Sequence, residues 1–187
     1  MVRKCSARAS SCACRLCDVT SPTIHASAVL VGPRAVLIRG PSGAGKSRLA
    51  FALIQTGGLP FTRLVGDDRV HIEAAHGRLL VRPAETLAGL IEVRGLGIRR
   101  CEFVAEAVVG LVVDLAATDA ERLPTPEALV TRLNGALVPR IPVPAGYHPL
   151  PLVVAALTTT ESSSSGNHSA DCVKGFGNHI SPTIATE

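Results

Sequence analysis

The chain has no tryptophan, one tyrosine, four phenylalanines and one methionine among 187 residues. So few flat rings argue against the stacking platforms on which single-stranded nucleic acids are held. Charge of one sign is scarce too: the net charge is +4, and Arg3, Lys4, Arg8 and Arg15 near the N-terminus face only Asp18. What remains is too little for a duplex-binding face. No apolar run reaches the ~18 residues of a membrane helix, and the N-terminal segment lacks the apolar stretch of a secretory signal. Neither nucleic acid nor membrane is therefore expected as a partner. Six cysteines are present, and Cys5, Cys12, Cys14 and Cys17 crowd the start of the chain. Their C-x-C-x-x-C run has ligand chemistry for zinc or an iron–sulfur cluster, but no second ligand group follows at finger spacing. Residues 1–20 are expected to be a disordered leader. Cys101 and Cys172 have no obvious partners, which fits a reducing cytoplasm.

Hydrophobic residues make up 47% of the chain, enough for one real core. Residues 21–157 alternate short apolar runs with turn signals and form the expected folded body. From Thr158 the composition turns to threonine and serine, and residues 158–187 are expected to be a disordered tail. Within the body, Ala28–Val31 and Ala35–Ile38 flank Gly32-Pro33-Arg34 and read as a hairpin. Segments 63–65, 69–72 and 78–81 read as a meander, 84–88 as a short helix, and 90–93 and 108–115 as strands. Thr125 as N-cap with Pro126 in the first turn predicts a helix running to Asn134-Gly135. The segment 149–157 is apolar and of open type. Strands with flanking helices make the class α/β, without the regular alternation of a doubly wound sheet.

The strongest motif is Gly40-Pro41-Ser42-Gly43-Ala44-Gly45-Lys46-Ser47. It matches the phosphate-binding loop G-x-x-x-x-G-K-[ST], with a strand before it and a run of good helix formers after it. Glycines let backbone amides turn toward phosphate oxygens, and the helix N-terminus adds positive potential. Lys46 is expected at the β- and γ-phosphates of a nucleoside triphosphate and Ser47 at Mg²⁺.

Three acidic segments compete for the remaining chemistry. Asp67-Asp68 falls where a loop meets a strand, and reads either as a general base for phosphoryl transfer or as a solvated turn beside Arg69. Ile91-Glu92-Val93-Arg94-Gly95-Leu96-Gly97-Ile98 puts Glu92 and Arg94 on one strand face before a Gly-x-Gly turn. Glu92 suits Mg²⁺ and Arg94 phosphate, against the plainer reading of an exposed ion pair. Leu111-Val112-Val113-Asp114 ends an apolar strand in an acid, as metal-bearing strands of many P-loop enzymes do.

Taken together, these residues resemble the catalytic domain of HPr kinase/phosphorylase over about residues 24–157. Four segments in order carry the likeness: Ile24-His25-Ala26-Ser27, the loop Gly40–Ser47, Arg63-Leu-Val-Gly-Asp67-Asp68-Arg-Val70, and Ile91–Ile98. The resemblance implies a strand-rich P-loop fold of the phosphoenolpyruvate-carboxykinase-like type. It implies Mg²⁺- and ATP-dependent phosphorylation of a serine on HPr or a related phosphocarrier of the sugar phosphotransferase system, in the cytoplasm. The family also runs the reverse reaction with inorganic phosphate. In this reading Asp68 is the base, Asp67 and His25 support it, and Lys46 holds the phosphates. Ser47 and Glu92 ligate Mg²⁺, Asp114 becomes structural, and Arg122 falls where the family has a further catalytic arginine. A homo-oligomer, the hexamer typical of the family, is likewise implied. The chain resembles the short, catalytic-domain-only form. Ile141–Gly146 follows the family's I-P-V-x-P-G-R-N stretch, with Tyr147-His148 in place of R-N. The competing readings are a P-loop kinase for a small metabolite and a nucleotide-responsive module without turnover.

Overall fold

The computed structural model describes residues 22–160; the cysteine-rich leader and the tail beyond Thr160, Cys172 included, lie outside the described residues. A short strand β1 (Thr23–His25) is followed by β2 (Ser27–Val31) and β3 (Arg34–Arg39), an antiparallel hairpin closed with Val31 opposite Arg34. Then come α1 (Lys46–Gln55), β4 (Thr62–Gly66), β5 (Arg69–Ala75), β6 (Arg78–Pro83), a single 3₁₀ turn Glu85–Leu87, β7 (Leu90–Val93) and β8 (Gly97–Arg100). The chain continues through β9 (Ala107–Leu115), β10 (Val130–Leu133), β11 (Ala136–Val143) and α2 (Pro149–Thr158). No helix among the described residues is long and apolar enough to cross a membrane.

One mixed sheet carries most of these strands in the order β1-β5-β6-β9-β3-β2-β4, with the β10–β11 hairpin joined to it along β9. Its centre is parallel: β9 lies beside β3 on one side and β11 on the other, so all three point their carboxyl ends the same way. Alternation gives the sheet two apolar faces. Val36 and Ile38 face α1 and α2, packing with Leu49, Leu53 and Val153, whereas Ala35 and Leu37 face a second cluster with Val65, Val70 and Val81. Burying a leucine such as Leu53 completely contributes about 2 kcal/mol. Along β9 the alternation slips once. Ala35 stands opposite Val109 but Val36 opposite Leu111, so Gly110 is an extra residue that reverses which side chains face the helices.

Two expectations need correction. The helix predicted from Thr125 does not form. Thr125-Pro126 does open a turn, with the amides of Ala128 and Leu129 bonded to the carbonyls of Thr125 and Pro126. The residues beyond it are strand β10. Asn134 and Gly135 both have positive φ, 46° and 84°, and turn that strand straight back into β11. Asn-Gly is the preferred pair for such a two-residue hairpin, and the β-branched Val130 and Thr131 suit the strand. The meander is also incomplete: β5 and β6 pair with each other, but β4 pairs with β2. The segment of open type is α2, started by Pro149 in its first turn.

The carboxyl ends of the parallel strands are tied by charge. Arg39 on β3 donates two hydrogen bonds to Asp114 on β9, at 2.7 and 2.6 Å. Arg140 on β11 donates a third at 2.6 Å and reaches on to Asp119. Burial pushes the Asp114 carboxyl up, but the hydrogen bonds and charges of the two arginines outweigh it and hold it below the usual carboxylate range. Asp114 therefore braces three strands, and its oxygens are taken. Because its folded pKa is depressed, its contribution to stability is present above the ordinary carboxylate pKa and fades only as pH falls below about 4. Asp114→Ala leaves the half-buried Arg39 guanidinium without its partner and takes one acceptor from Arg140, which keeps Asp119. It is expected to cost about 3 kcal/mol, read as a lower midpoint in denaturant at neutral pH, with the deficit shrinking in acid.

Candidate active site

The loop Gly40–Ser47 leaves the carboxyl end of β3 and enters α1, the place where ligands gather in open α/β sheets. Its glycines have local reasons. A Cβ on Gly40 would stand 2.9 Å from the Leu115 carbonyl oxygen, so only glycine lets the loop pass the end of β9. Gly45 caps α1 with φ at 95° and no side-chain bond, which leaves the first amides of the helix for a ligand. The side chain of Lys46 is buried and turns back over the loop, donating to the carbonyls of Gly40 (3.1 Å) and Pro41 (3.0 Å). Burial lowers its pKa, and the negative charges of Asp67 and Asp68 oppose that shift. The ammonium is thus held over the loop with two carboxylates acting on it.

The two aspartates do different things. Asp67 directly follows β4, beside the buried Ser27 of β2, whose Oγ donates to Oδ1 at 2.5 Å, and the Glu92 amide donates to Oδ2 at 3.1 Å. Both oxygens are occupied, and through them Asp67 ties β7 to the sheet at Glu92. Asp68 is exposed. It sits at the centre of a tight turn in which the Arg69 amide bonds the Asp67 carbonyl at 2.8 Å, with φ at 66°. This is the strained, positive-φ form of the γ-turn, and strain of this kind collects at functional sites. Pairing of β1 with β5 sets His25 opposite Arg69, and that register brings His25 Nε2 to 3.2 Å from Asp68 Oδ1.

His25, Lys46, Asp67 and Asp68 are therefore brought together. Ser47 follows Lys46, half-buried in the first turn of α1, and Glu92 is exposed on β7, joined to Asp67 through its amide. Arg94 is not on the strand with Glu92: β7 ends at Val93, and Arg94 stands in the turn to β8. Arg122 is exposed between β9 and β10. Neither arginine makes a side-chain hydrogen bond or ion pair among the described residues. Ser27 had no role assigned from sequence; its signal is a polar residue at a fully buried position between Ala26 and Ala28. Among the described residues no three His, Cys, Asp or Glu side chains cluster closely enough to hold a metal. Ser47 and Glu92 offer hard oxygen donors of the type that take Mg²⁺ when substrate phosphates and water complete the shell, and to that extent they fit it.

Fold and loop together define a P-loop protein of the α/β class, built on a mixed, strand-rich sheet. The chain belongs to the HPr serine kinase C-terminal domain family, whose sequence profile matches residues 19–175. HPr kinase/phosphorylase of Clostridium beijerinckii is 42% identical over 85 residues, which is 44% of this chain and 27% of that protein. The protein of the same name from Streptococcus thermophilus is 44% identical over 77 residues, 41% of this chain and 24% of that protein. The chain thus spans about a quarter of the length of these curated relatives. Among solved structures, the Hpr(Ser) kinase/phosphatase from Coxiella burnetii superposes with a TM-score of 0.59 at 27% identity, covering 73% of this chain and 93% of that one.

Proposed function

We propose that this chain is an ATP- and Mg²⁺-dependent protein kinase that phosphorylates a serine of an HPr-type phosphocarrier, in the cytoplasm and as a homo-oligomer. The observation that carries the reading is the exposed Asp68 carboxylate, set at a strained turn against His25 and acting on the charge of the loop lysine. A loop that only held a nucleotide would have no use for such a carboxylate; transfer to a hydroxyl needs one to remove a proton. Family membership and the names of the relatives support the substrate.

In the forward direction Asp68 takes the serine proton while the serine oxygen attacks the γ-phosphorus and the bond to the β-phosphate oxygen breaks. Lys46 holds the phosphates through the step, and His25 keeps the Asp68 carboxylate oriented. Asp67, with both oxygens engaged, keeps Glu92 in register with the loop. Ser47 and Glu92 would hold Mg²⁺, which would supply charge neutralisation for the phosphates when bound. Asp114 is excluded from that duty by its two arginines. In reverse, an oxygen of inorganic phosphate attacks the phosphoserine phosphorus while the bond to the serine oxygen breaks, Asp68 gives its proton to that serine oxygen, and pyrophosphate leaves. Arg94 and Arg122, both exposed and without partners among the described residues, remain in the reading as cations for the transferred group.

Purified chain incubated with labelled ATP, Mg²⁺ and an HPr-type carrier is expected to label the carrier on serine, and added inorganic phosphate to remove the label. Label on a small metabolite instead, or ATP binding without transfer to any carrier, would refute the assignment.

A further inference from the structure

A cleft of about 350 Å³ opens beside the first half of the phosphate loop. Pro41–Ala44 form one wall, Leu115 and Ala116 the floor, and the turn Val143–Tyr147 with Pro149 the other wall. It lies at the carboxyl ends of β3, β9 and β11, the three parallel strands. None of its lining residues is charged, in contrast with the Lys46 side of the loop, where Asp67 and Asp68 act on the lysine. Tyr147 is the only aromatic residue of the lining and the only tyrosine of the chain. Its amide donates to the Pro144 carbonyl at 3.2 Å, which closes the turn, and 57% of the residue is exposed.

A nucleotide whose phosphates occupy the loop must send its nucleoside to one side. The acidic side has to stay open for the acceptor hydroxyl, which must meet Asp68. The uncharged cleft is contiguous with the loop on the other side, is within the size range of small-ligand pockets, and has the partly exposed Tyr147 in its lining. We propose that this cleft seats the nucleobase, stacked on Tyr147. The inference rests on the nucleotide reading of the loop given above.

The chain has no tryptophan and a single tyrosine, so tyrosine emission reports on Tyr147 alone. Titration with ADP and Mg²⁺ is expected to quench that emission, whereas pyrophosphate, which fills the loop without a base, binds without quenching. By calorimetry Tyr147→Ala is expected to weaken ADP about tenfold, as loss of one stacked ring does, and to leave pyrophosphate unchanged; Tyr147→Phe retains ADP affinity. ADP affinity that depends on Lys46 but not on Tyr147 would overturn the base site and leave the nucleotide reading standing. An equal loss of ADP and pyrophosphate in Tyr147→Ala would also overturn it, since the residue would then be shaping the loop. Failure of the unaltered chain to bind either ligand would overturn both readings.

Discussion

Lys46→Ala is expected to lower kcat for carrier phosphorylation by about 100- to 1,000-fold, the scale on which removal of one preorganised donor to developing charge is felt. The reason is visible before any ligand arrives. The amine is already turned over the loop by two carbonyl bonds, so binding phosphate exchanges those acceptors for others and costs little reorganisation. Burial has lowered the lysine pKa, so a bound polyphosphate restores the charged form and nucleotide binding draws in a proton at alkaline pH. In the free protein the same shift has an opposite thermodynamic face. The folded pKa lies below the unfolded one, so folding stability rises with pH between the two values, and Lys46→Ala should flatten that rise. Single-turnover transfer measured beside denaturant midpoints at pH 7 and above separates the two effects. Transfer at the unaltered rate would remove Lys46 from the mechanism.

Asp68→Asn is expected to cost about 100- to 10,000-fold in transfer, the range for loss of a positioned general base, with nucleotide affinity unchanged. Asparagine keeps the size of the side chain, tolerates positive φ and still offers an oxygen to His25, but it cannot take a proton. Asp67→Asn has a different signature. Its two oxygens accept from Ser27 Oγ and the Glu92 amide, so one donor is left facing an amide NH₂ in a buried place, and stability falls along with activity. A fully active Asp68→Asn protein, or one that loses ATP binding and transfer together, would rule out Asp68 as the base.

Local signals carried a good part of this. The strand, glycine loop and helix were legible because each residue's own preference agrees with its final state, from Ala35–Ile38 through Gly40 to the leucines of α1. Asp67-Asp68 could be placed at a loop–strand junction by the glycine before it and the Arg69-Val70 strand after it. The failures have two causes. Thr125-Pro126 is a true local start signal, but the equally local Asn134-Gly135 turn, which folds Val130–Leu133 back onto β11, overrides it. The contact of His25 with Asp68 depends on the register of β1 against β5, and the Arg39–Asp114–Arg140 brace depends on β3, β9 and β11 being neighbours. Ser27 was in view as part of a likeness, but its duty appears only when β2 and β4 are side by side.

The turn at Asp68 has a consequence for how variants of this protein behave in a screen. A residue at φ 66° carries backbone strain that glycine or asparagine would relieve, at the loss of the carboxylate beside His25. A library selected for thermal resistance is therefore expected to enrich glycine and asparagine at residue 68, and both would be silent in the kinase assay. Resistance to heat and competence for transfer pull in opposite directions at this position. A natural sequence that keeps aspartate there reveals, by that choice alone, which of the two it is under pressure to preserve.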